Sequence, residues 1–490
     1  MESADGCDHG FHSADHDRIF VLPGESDRCH GNHGAERIIK MKTYNYDLAV
    51  VGCGIAGSMA AIAAARHGIK VLAIDEAGYP GGALTAMGTG PMMTFHAGET
   101  QVVRGLPQEM VDRLVKRGFS PGHTVDSTGY TYTVTPFSAE GMKRILEEMM
   151  LEAQVDILYH TTVYGVTKEN GLLKSISCFS CGLTFEVSAK VFIDSTGDGD
   201  LLCLADVPFD SGRPVDGKDQ PMTMNFKVDG VDSDRIRRIM DETPELFPFL
   251  CKKAGIEKNA VRLSVSGFQE IMKQGIREGK ITCDRDIVLT FETDVHGEMI
   301  VNMSRINGES PIDPFSLTRA EIEGRRQVFE LLAYLKERIP GYENARLLFS
   351  GPNVGIRSSR RMRGIYKLTA EDILSNKIFD DRVVAFGYPV DIHSADGSAT
   401  NSYFLKEGTY YTIPYRCIIN SEVPNIMAAG RNISCSFEAQ ASTRVSPCCA
   451  ALGEAAGCAA AIAVRKKLQP TEIDFRELQS NLIQENAFLG

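Results

Sequence analysis

The 490-residue chain has no unbroken run of eighteen or more strongly apolar residues, and its two Ala-rich stretches carry Arg66, His67 and Glu454. A membrane span is therefore not expected. It also lacks a basic start followed by an apolar core: Glu2, Asp5 and Asp8 stand there instead, and no secretory signal is expected. Cationic excess is missing too. With 52 Lys and Arg against 64 Asp and Glu the net charge is −12, which argues against a broad nucleic-acid footprint, because phosphate binding is carried by Lys and Arg. No disulfide framework is visible. Thirteen cysteines, an odd number scattered along a large chain, suit free thiols and a cytoplasmic location. What is there is ordinary globular material, 43% hydrophobic and 24% charged, enough for two or three packed domains.

Residues 1–40 differ from the rest, with eight acids, four bases and His9, His12, His16, His30 and His33 beside Cys7 and Cys29. Apolar periodicity begins only at Tyr46, so this segment reads as a mobile extension. The spacing of its His and Cys matches no closed zinc pattern, and no metal is expected. From Tyr46 the pattern runs strand (Asp47 to Val51), glycine turn, Ala-rich helix (Ser58 to His67) and strand (Lys70 to Ile74), which is a βαβ unit. Ser138 is placed to cap a helix through Ala153, with Met142, Ile145, Met149 and Met150 on one face. A β-meander follows over Asp156–Val166, Leu173–Phe179 and Glu186–Ile193, with a hairpin near Asn170 and Gly171. Between 206 and 385 the glycine signatures vanish, and Thr318 with Glu321 reads as a capping box for a helix that stops at Pro340 and Gly341. The expected organisation is a first domain from 41–205, an inserted domain from 206–385, a return to the first from 386–470, and a tail from 471–490.

The sharpest motif is Gly52-Cys53-Gly54-Ile55-Ala56-Gly57, where a strand turns into a helix. Gly52 allows the tight turn, Gly54 lets backbone approach a pyrophosphate, and Gly57 lets helix and strand pack closely while the helix N-terminus faces the phosphates. The second strand ends on Asp75 and Glu76, and an acid there accepts from a ribose 2′-hydroxyl, favouring NAD or FAD over NADP.

Further blocks follow in order: Gly81-Gly82-Ala83-Leu84-Thr85, Val103-Arg104-Gly105-Leu106-Pro107, Ile193-Asp194-Ser195-Thr196-Gly197-Asp198, Arg357-Ser358-Ser359-Arg360-Arg361, Asp391-Ile392-His393, Ile413-Pro414-Tyr415-Arg416, and Gly430-Arg431 leading to Arg444-Val445. With these, the chain from about Tyr46 to Lys467 resembles FAD-dependent oxidoreductases of the two-motif flavoprotein type. These are distantly related to fumarate reductase and succinate dehydrogenase flavoproteins and include members called xanthan-lyase-like. In size and type the chain is also similar to tetrahydrodaidzein reductases. The resemblance implies an α/β fold, with a glutathione-reductase-type FAD-binding Rossmann domain and an inserted α+β substrate domain. It implies FAD contacts from Gly82, Ala83 and Thr85, from Thr196, Gly197 and Asp198 passing under the dinucleotide a second time, and from Val163 at the adenine. Gly430 and Arg431 would approach the pyrophosphate from the other side. Arg444 and Val445 would precede a helix, from about Pro447 to Arg465, aimed at the flavin. Because no His occurs between Asp75 and His96, noncovalent FAD is expected, and Phe437 stands where relatives often carry His.

For chemistry, Arg357, Arg360 and Arg361 are candidates to bind an anionic group or polarise a carbonyl. His393 beside Asp391 and Tyr415 on a strand with Tyr411 are candidates for moving a proton. His96 and Arg104 are weaker candidates for the pocket. Cys178 and Cys181 fall in the meander and read as structural, whereas Cys448 and Cys449 open the flavin-facing helix, where a thiol could become acidic. The expected function is hydride transfer between flavin N5 and a small organic substrate, such as an unsaturated, carbonyl or hydroxyaryl compound. The alternatives are an NAD-linked dehydrogenase and a non-catalytic flavin-binding scaffold. Only one dinucleotide fingerprint is visible, so the electron donor stays open, as does homo-oligomerisation.

Overall fold

The computed structural model describes residues 42–248, 255–397 and 400–490; the 1–40 extension lies outside them. Four-residue apolar runs build the centre. Strand β1 (Leu48–Val51) leads through the glycine turn into helix α1 (Ile55–Arg66) and strand β2 (Val71–Ile74). Helices α2 (Gly105–Lys116) and α3 (Ala139–Glu152) follow, then β3 (Asp156–Leu158), β4 (Val191–Asp194), β5 (Ile426–Ala428) and α4 (Ser446–Lys466). The five strands form one parallel sheet in the order β5-β4-β1-β2-β3. Both faces of β1, β2 and β4 are buried, which is why they read as continuous apolar runs rather than as alternation. This is the expected doubly covered α/β arrangement.

Helices α1 and α4 pack at backbone contact. A Cβ at Gly453 would lie 2.1 Å from the Ala56 carbonyl oxygen, and one at Gly457 would lie 2.2 Å from that of Ala60. Their Ala-rich sequences reflect this closeness, since larger side chains would hold the axes apart. By length and composition α4 could cross a membrane, yet 94% of its apolar stretch is buried inside the fold.

Ser138 caps α3 as expected, accepting from the Gly141 amide, and Met142, Ile145, Met149 and Met150 are all buried. The meander is divided. Asp156–Leu158 and Val191–Asp194 belong to the central sheet, while Thr162–Glu169, Leu172–Ser180 and Leu183–Ser188 form a separate antiparallel meander with Lys42–Asn45 on its edge. In the insert, an antiparallel sheet runs in the order Ser264–Gly267, Val288–Glu292, Met299–Val301, Phe226–Asp229, Arg346–Ser350.

The long helix of the insert, Pro314–Arg338, buries Ala320, Gly324, Val328, Leu331 and Leu335. Its cap is not Thr318 but Asp313, whose carboxylate accepts from the Ser316 amide at 2.7 Å. An acidic residue followed by Pro314 starts the helix a turn earlier, because proline has no amide to leave unpaired. Thr318 instead donates to the Pro314 carbonyl, and Glu321 accepts from the Val354 amide. The core of the insert spans Met222 to Val354, whereas Met362, Leu368 and Phe379 belong to the larger core, so the insert ends well before 385. The 471–490 segment contains a helix, Phe475–Gln484, whose Leu478 and Leu482 enter that larger core.

Candidate functional site

A cavity of about 570 Å³ runs from the glycine turn of the central sheet to the insert. At one end its wall is mainly backbone. The β1–α1 turn supplies Gly54, Ile55 and Ala56, the next loop Gly82 and Ala83, the end of β4 Ser195, Thr196 and Gly197, and the end of β5 Gly430 and Arg431. Each fingerprint glycine has a separate reason. Gly52 has φ +94°, and a Cβ there would come within 2.5 Å of the Ser195 carbonyl oxygen. A Cβ on Gly57 would lie 1.8 Å from the Gly52 oxygen. Gly54 has ordinary φ, −58°, and the nearest protein atom to its Cβ would be 3.8 Å away. A side chain at Gly54 is thus compatible with the fold and would fill the cavity.

Two helices begin at this wall, and neither has a side-chain cap: α1 follows Gly54, and α4 follows Val445. Elsewhere Ser138, Asp232, Asp313, Thr369, Ser436 and Asp474 cap the first turns of their helices, whereas the Gln269–Arg277 helix of the insert, whose Gln269 also reaches the cavity, has no side-chain cap. Helix α2 is served from a distance by Glu454, which accepts from the Leu106 amide at 2.9 Å. Burial pushes that carboxyl up to about 8. Uncapped N-termini carry partial positive charge and free amides, and both point their start at one cavity. Glycine floor, paired helix N-termini and volume together fit a dinucleotide with its pyrophosphate.

Asp75 and Asp194 brace this end. The Asp75 carboxylate accepts from the Cys53 amide at 2.5 Å and the Ala77 amide at 2.8 Å, tying the glycine turn to the end of β2. Asp194, fully buried and raised by that burial to about 6, accepts from the Thr196 amide and hydroxyl, the Leu202 amide and Asn432. Asp194 and Asn432 were missed as site-building residues, although an Asp two residues before Thr196 is a readable Asx-turn signal. Arg431 reaches the wall but is not a free cation, since Asp198 pairs with it at 2.7 Å. Thr85 points away, donating to the Pro80 carbonyl, and steadies the Gly82 turn. Glu76 and Val163 lie outside the enclosed part of the cavity.

At the other end the wall is made of side chains: Tyr130, Arg285, Asp286, Arg357, Tyr388, Asp391, His393 and Arg444. The Asp391 carboxylate organises them. It lies 3.2 Å from His393 Nε2 and 3.7 Å from Arg444, and accepts from Ser402 at 3.1 Å; Ser402 in turn accepts from the Tyr130 hydroxyl at 2.9 Å. Burial raises the Asp391 carboxyl, but His393 and Arg444 hold it below the usual carboxylate range, so it is ionised. Burial, reinforced by the Arg357 guanidinium, holds His393 well below its ordinary value and keeps it neutral. Burial beside Asp391 raises the Tyr130 phenol, which stays protonated. Arg357 donates to the Pro221 carbonyl and the Thr223 hydroxyl, both at 2.6 Å.

Arg357, His393, Arg444 and Val445 line the cavity, with Arg444, expected at the cofactor, standing beside Asp391 at the side-chain end, while the other catalytic candidates do not reach it. Arg360 pairs with Asp200 at 2.8 Å and lies over Phe209. Arg361 is buried against the Gly212 carbonyl and Phe437. The intervening stretch is irregular, so successive arginines leave it in different directions. The strand with Tyr411 ends at Pro414, and Tyr415 opens the short 3-10 turn that follows, not the strand as expected. Tyr415 is buried and donates to the Pro470 carbonyl, and Tyr411, on a strand buried on both faces, bonds Ser442. His96 and Arg104 also lie off the wall, His96 against Thr133 and Arg104 over Phe488. Cys449 lines the cavity but donates to the Arg444 carbonyl, and burial pushes it up to about 12; Cys448 is raised as well. The helix start does not produce a thiolate. Arg285, Tyr130 and Tyr388 were not legible beforehand, the only hint being Asp284-Arg285-Asp286 set in an otherwise apolar stretch.

A 64-residue stretch is 39% identical to the soluble pyridine nucleotide transhydrogenase of Hahella chejuensis, covering 13% of this chain and 14% of that protein. Among solved structures, the geranylgeranyl bacteriochlorophyll reductase-like protein of Thermoplasma acidophilum is 14% identical at TM-score 0.44, over 91% of this chain and 85% of that one. The flavin-dependent brominase Bmp2 is 13% identical at TM-score 0.48, over 90% and 84%. The sequence model of the FAD dependent oxidoreductase family matches residues 47–482, nearly the whole span from the glycine turn to the last helix, and the chain belongs to that family, with FAD as its cofactor.

Proposed function

We propose that this flavoenzyme transfers a hydride between FAD and a small organic substrate seated in the side-chain half of the cavity. The observation that carries the reading is the continuity of that cavity, from the glycine floor and two helix starts to the Asp391–His393–Tyr130 network under the insert. Bound there, the flavin supplies a two-electron donor or acceptor. The chain does the rest. Gly54, Gly82, Thr196, Gly197 and Gly430 offer backbone at close approach, and the first-turn amides of α1 meet the pyrophosphate. Asp75 keeps lone pairs for a ribose hydroxyl. The N-terminus of α4 stabilises negative charge on the flavin edge. Leu289, Phe291 and Asn302 of the insert close the other side and exclude water. His393, neutral and oriented by Asp391, accepts a proton, and the Tyr130 hydroxyl donates one. Apolar and aromatic lining from Met87, Met93, Phe291 and Tyr388 suits an unsaturated, carbonyl or hydroxyaryl compound, as in the tetrahydrodaidzein-reductase-like reading. A cytoplasmic setting belongs to the same reading, supported by ten described cysteines that are free thiols.

Protein purified aerobically should be yellow, release its FAD on acid denaturation, and bleach anaerobically with a reduced substrate or reductant. A colourless protein that cannot be reconstituted with FAD would overturn the reading.

A further inference from the structure

We infer that the substrate carries a carboxylate, or an equally compact anionic group, received between Arg285 and Arg357. The inference rests on the proposed hydride-transfer reading and names the substrate class for that same cavity.

The wall carries three guanidiniums, Arg285, Arg357 and Arg444, against two carboxylates, Asp286 and Asp391. Asp391 is already shared by His393, Arg444 and Ser402. Behind the wall Arg305 and Asp284 lie 3.7 Å apart and pair with each other. That leaves an excess of positive charge in a water-poor enclosure. Among the described residues, the hydrogen bonds of Arg357 go to a carbonyl and a hydroxyl, which satisfy one terminal nitrogen and neutralise nothing. Among the described residues its other terminal nitrogen and Nε have no hydrogen-bond acceptor. Among the described residues the Arg285 side chain makes one long hydrogen bond, 3.4 Å to the Thr400 hydroxyl, and its buried Nε has no hydrogen-bond partner. Burial and the neighbouring guanidiniums of Arg444 and Arg285 work against the charge on Arg357, a strain that an entering anion would relieve.

Cofactor phosphate does not account for this charge. The glycine floor and the start of α1 meet the pyrophosphate at the opposite end, and Arg431 there is already matched by Asp198. Arg285 comes from the insert. A guanidinium fork with unused donors matches a planar carboxylate bidentately, and Leu289, Phe291 and Tyr388 beside it suit an apolar body attached to the acid.

The test uses holoenzyme and a panel of acids, each with its neutral amide: acetate and acetamide, benzoate and benzamide, cinnamate and cinnamamide. Flavin difference spectra report binding without turnover. At least one acid should perturb the flavin saturably, with its amide weaker by tenfold or more. Arg357→Gln and Arg285→Gln should each weaken that acid ten- to a hundredfold, while Arg357→Lys, which keeps charge but loses the fork, should fall between. FAD content and dithionite reduction should be unchanged in all three variants. If no acid perturbs the flavin, or amides bind as well as acids, the anion assignment fails while the flavoenzyme reading stands. If the variants instead lose FAD, the arginines serve the cofactor and the assignment fails. Absence of FAD from the parent protein would sink both.

Discussion

The two ends of the cavity are built in opposite ways. At the dinucleotide end the wall is backbone, and the residue type matters because a side chain is absent: Gly54, Gly82 and Gly430 line it. At the insert end the wall is charged and aromatic side chain, and Arg285, Arg357, Asp391 and His393 matter for what they carry. The first end depends on space and on helix amides that any chain possesses. The second depends on a particular balance of charge. A cofactor common to a whole family suits a site made of backbone, and a substrate particular to one member suits a site made of side chains.

The largest separation should come from glycine. Gly54→Val should abolish FAD retention while leaving the fold intact, since its backbone φ suits any residue and no protein atom comes closer than 3.8 Å to the added Cβ. Flavin absorbance per protein and a thermal melt together read this out. Full flavin occupancy in that variant would mean that the cavity floor has been misassigned. Gly457→Ala, by contrast, pushes a methyl to within 2.2 Å of the Ala60 oxygen and should destabilise by about 1–3 kcal/mol or more through overpacking, measured by chemical unfolding of the FAD-bound protein.

Next come the charged residues. His393→Asn should lower anaerobic flavin reduction by substrate on the order of 10²- to 10⁴-fold, as for loss of a positioned proton acceptor, whereas Arg357→Lys should act mainly on substrate affinity. FAD should remain bound. Rates within threefold of the parent in both half-reactions would make this end of the cavity a structural wall.

A smaller effect concerns pH. The Glu454 carboxyl is raised from about 4.5 to about 8 by burial, so it binds a proton in the folded state that the unfolded chain has released. Its contribution is full below about 4.5 and is lost as pH climbs to about 8. Melting temperature should therefore fall over that interval, and Glu454→Gln should flatten the decline. A slope unchanged by the substitution would show that other groups govern it. Smallest of all, Arg360→Lys should alter stability by about 0–1 kcal/mol, as an ion pair with the largely exposed Asp200 allows, with turnover unchanged.

What was readable in the sequence follows the same division. The glycine turn, Asp75 and the helix after Pro447 could be found because each acts through spacing within a few residues or through one strand-turn-helix unit. Strands β1 and β2 followed from apolar runs, whereas β3 and β4 were read into the meander and belong to the parallel sheet. At the side-chain end Arg357, Asp391, His393 and Arg444 were legible only through blocks shared with a family, and Tyr130, Arg285 and Tyr388, scattered along the chain, carry no pattern of their own. Arg360 and Arg361 misled because nearness in sequence says little about direction in an irregular stretch. Tyr415 misled because the strand stops at Pro414, and the turn that follows carries its side chain away from the cavity to the Pro470 carbonyl. Thr318 and Glu321 fit a capping pattern, but Asp313 and Pro314 start the helix ahead of them.

The backbone contact between α1 and α4 also sets a timetable for the molecule's birth. The glycine turn leaves the ribosome long before β5 and α4, which follow it only after the whole insert. Until then α1 packs on the earlier strands and helices but lacks the cover of α4. FAD supplied during synthesis should find no seat on a ribosome-stalled chain ending before Ser446, and should bind once Lys466 has cleared the exit tunnel.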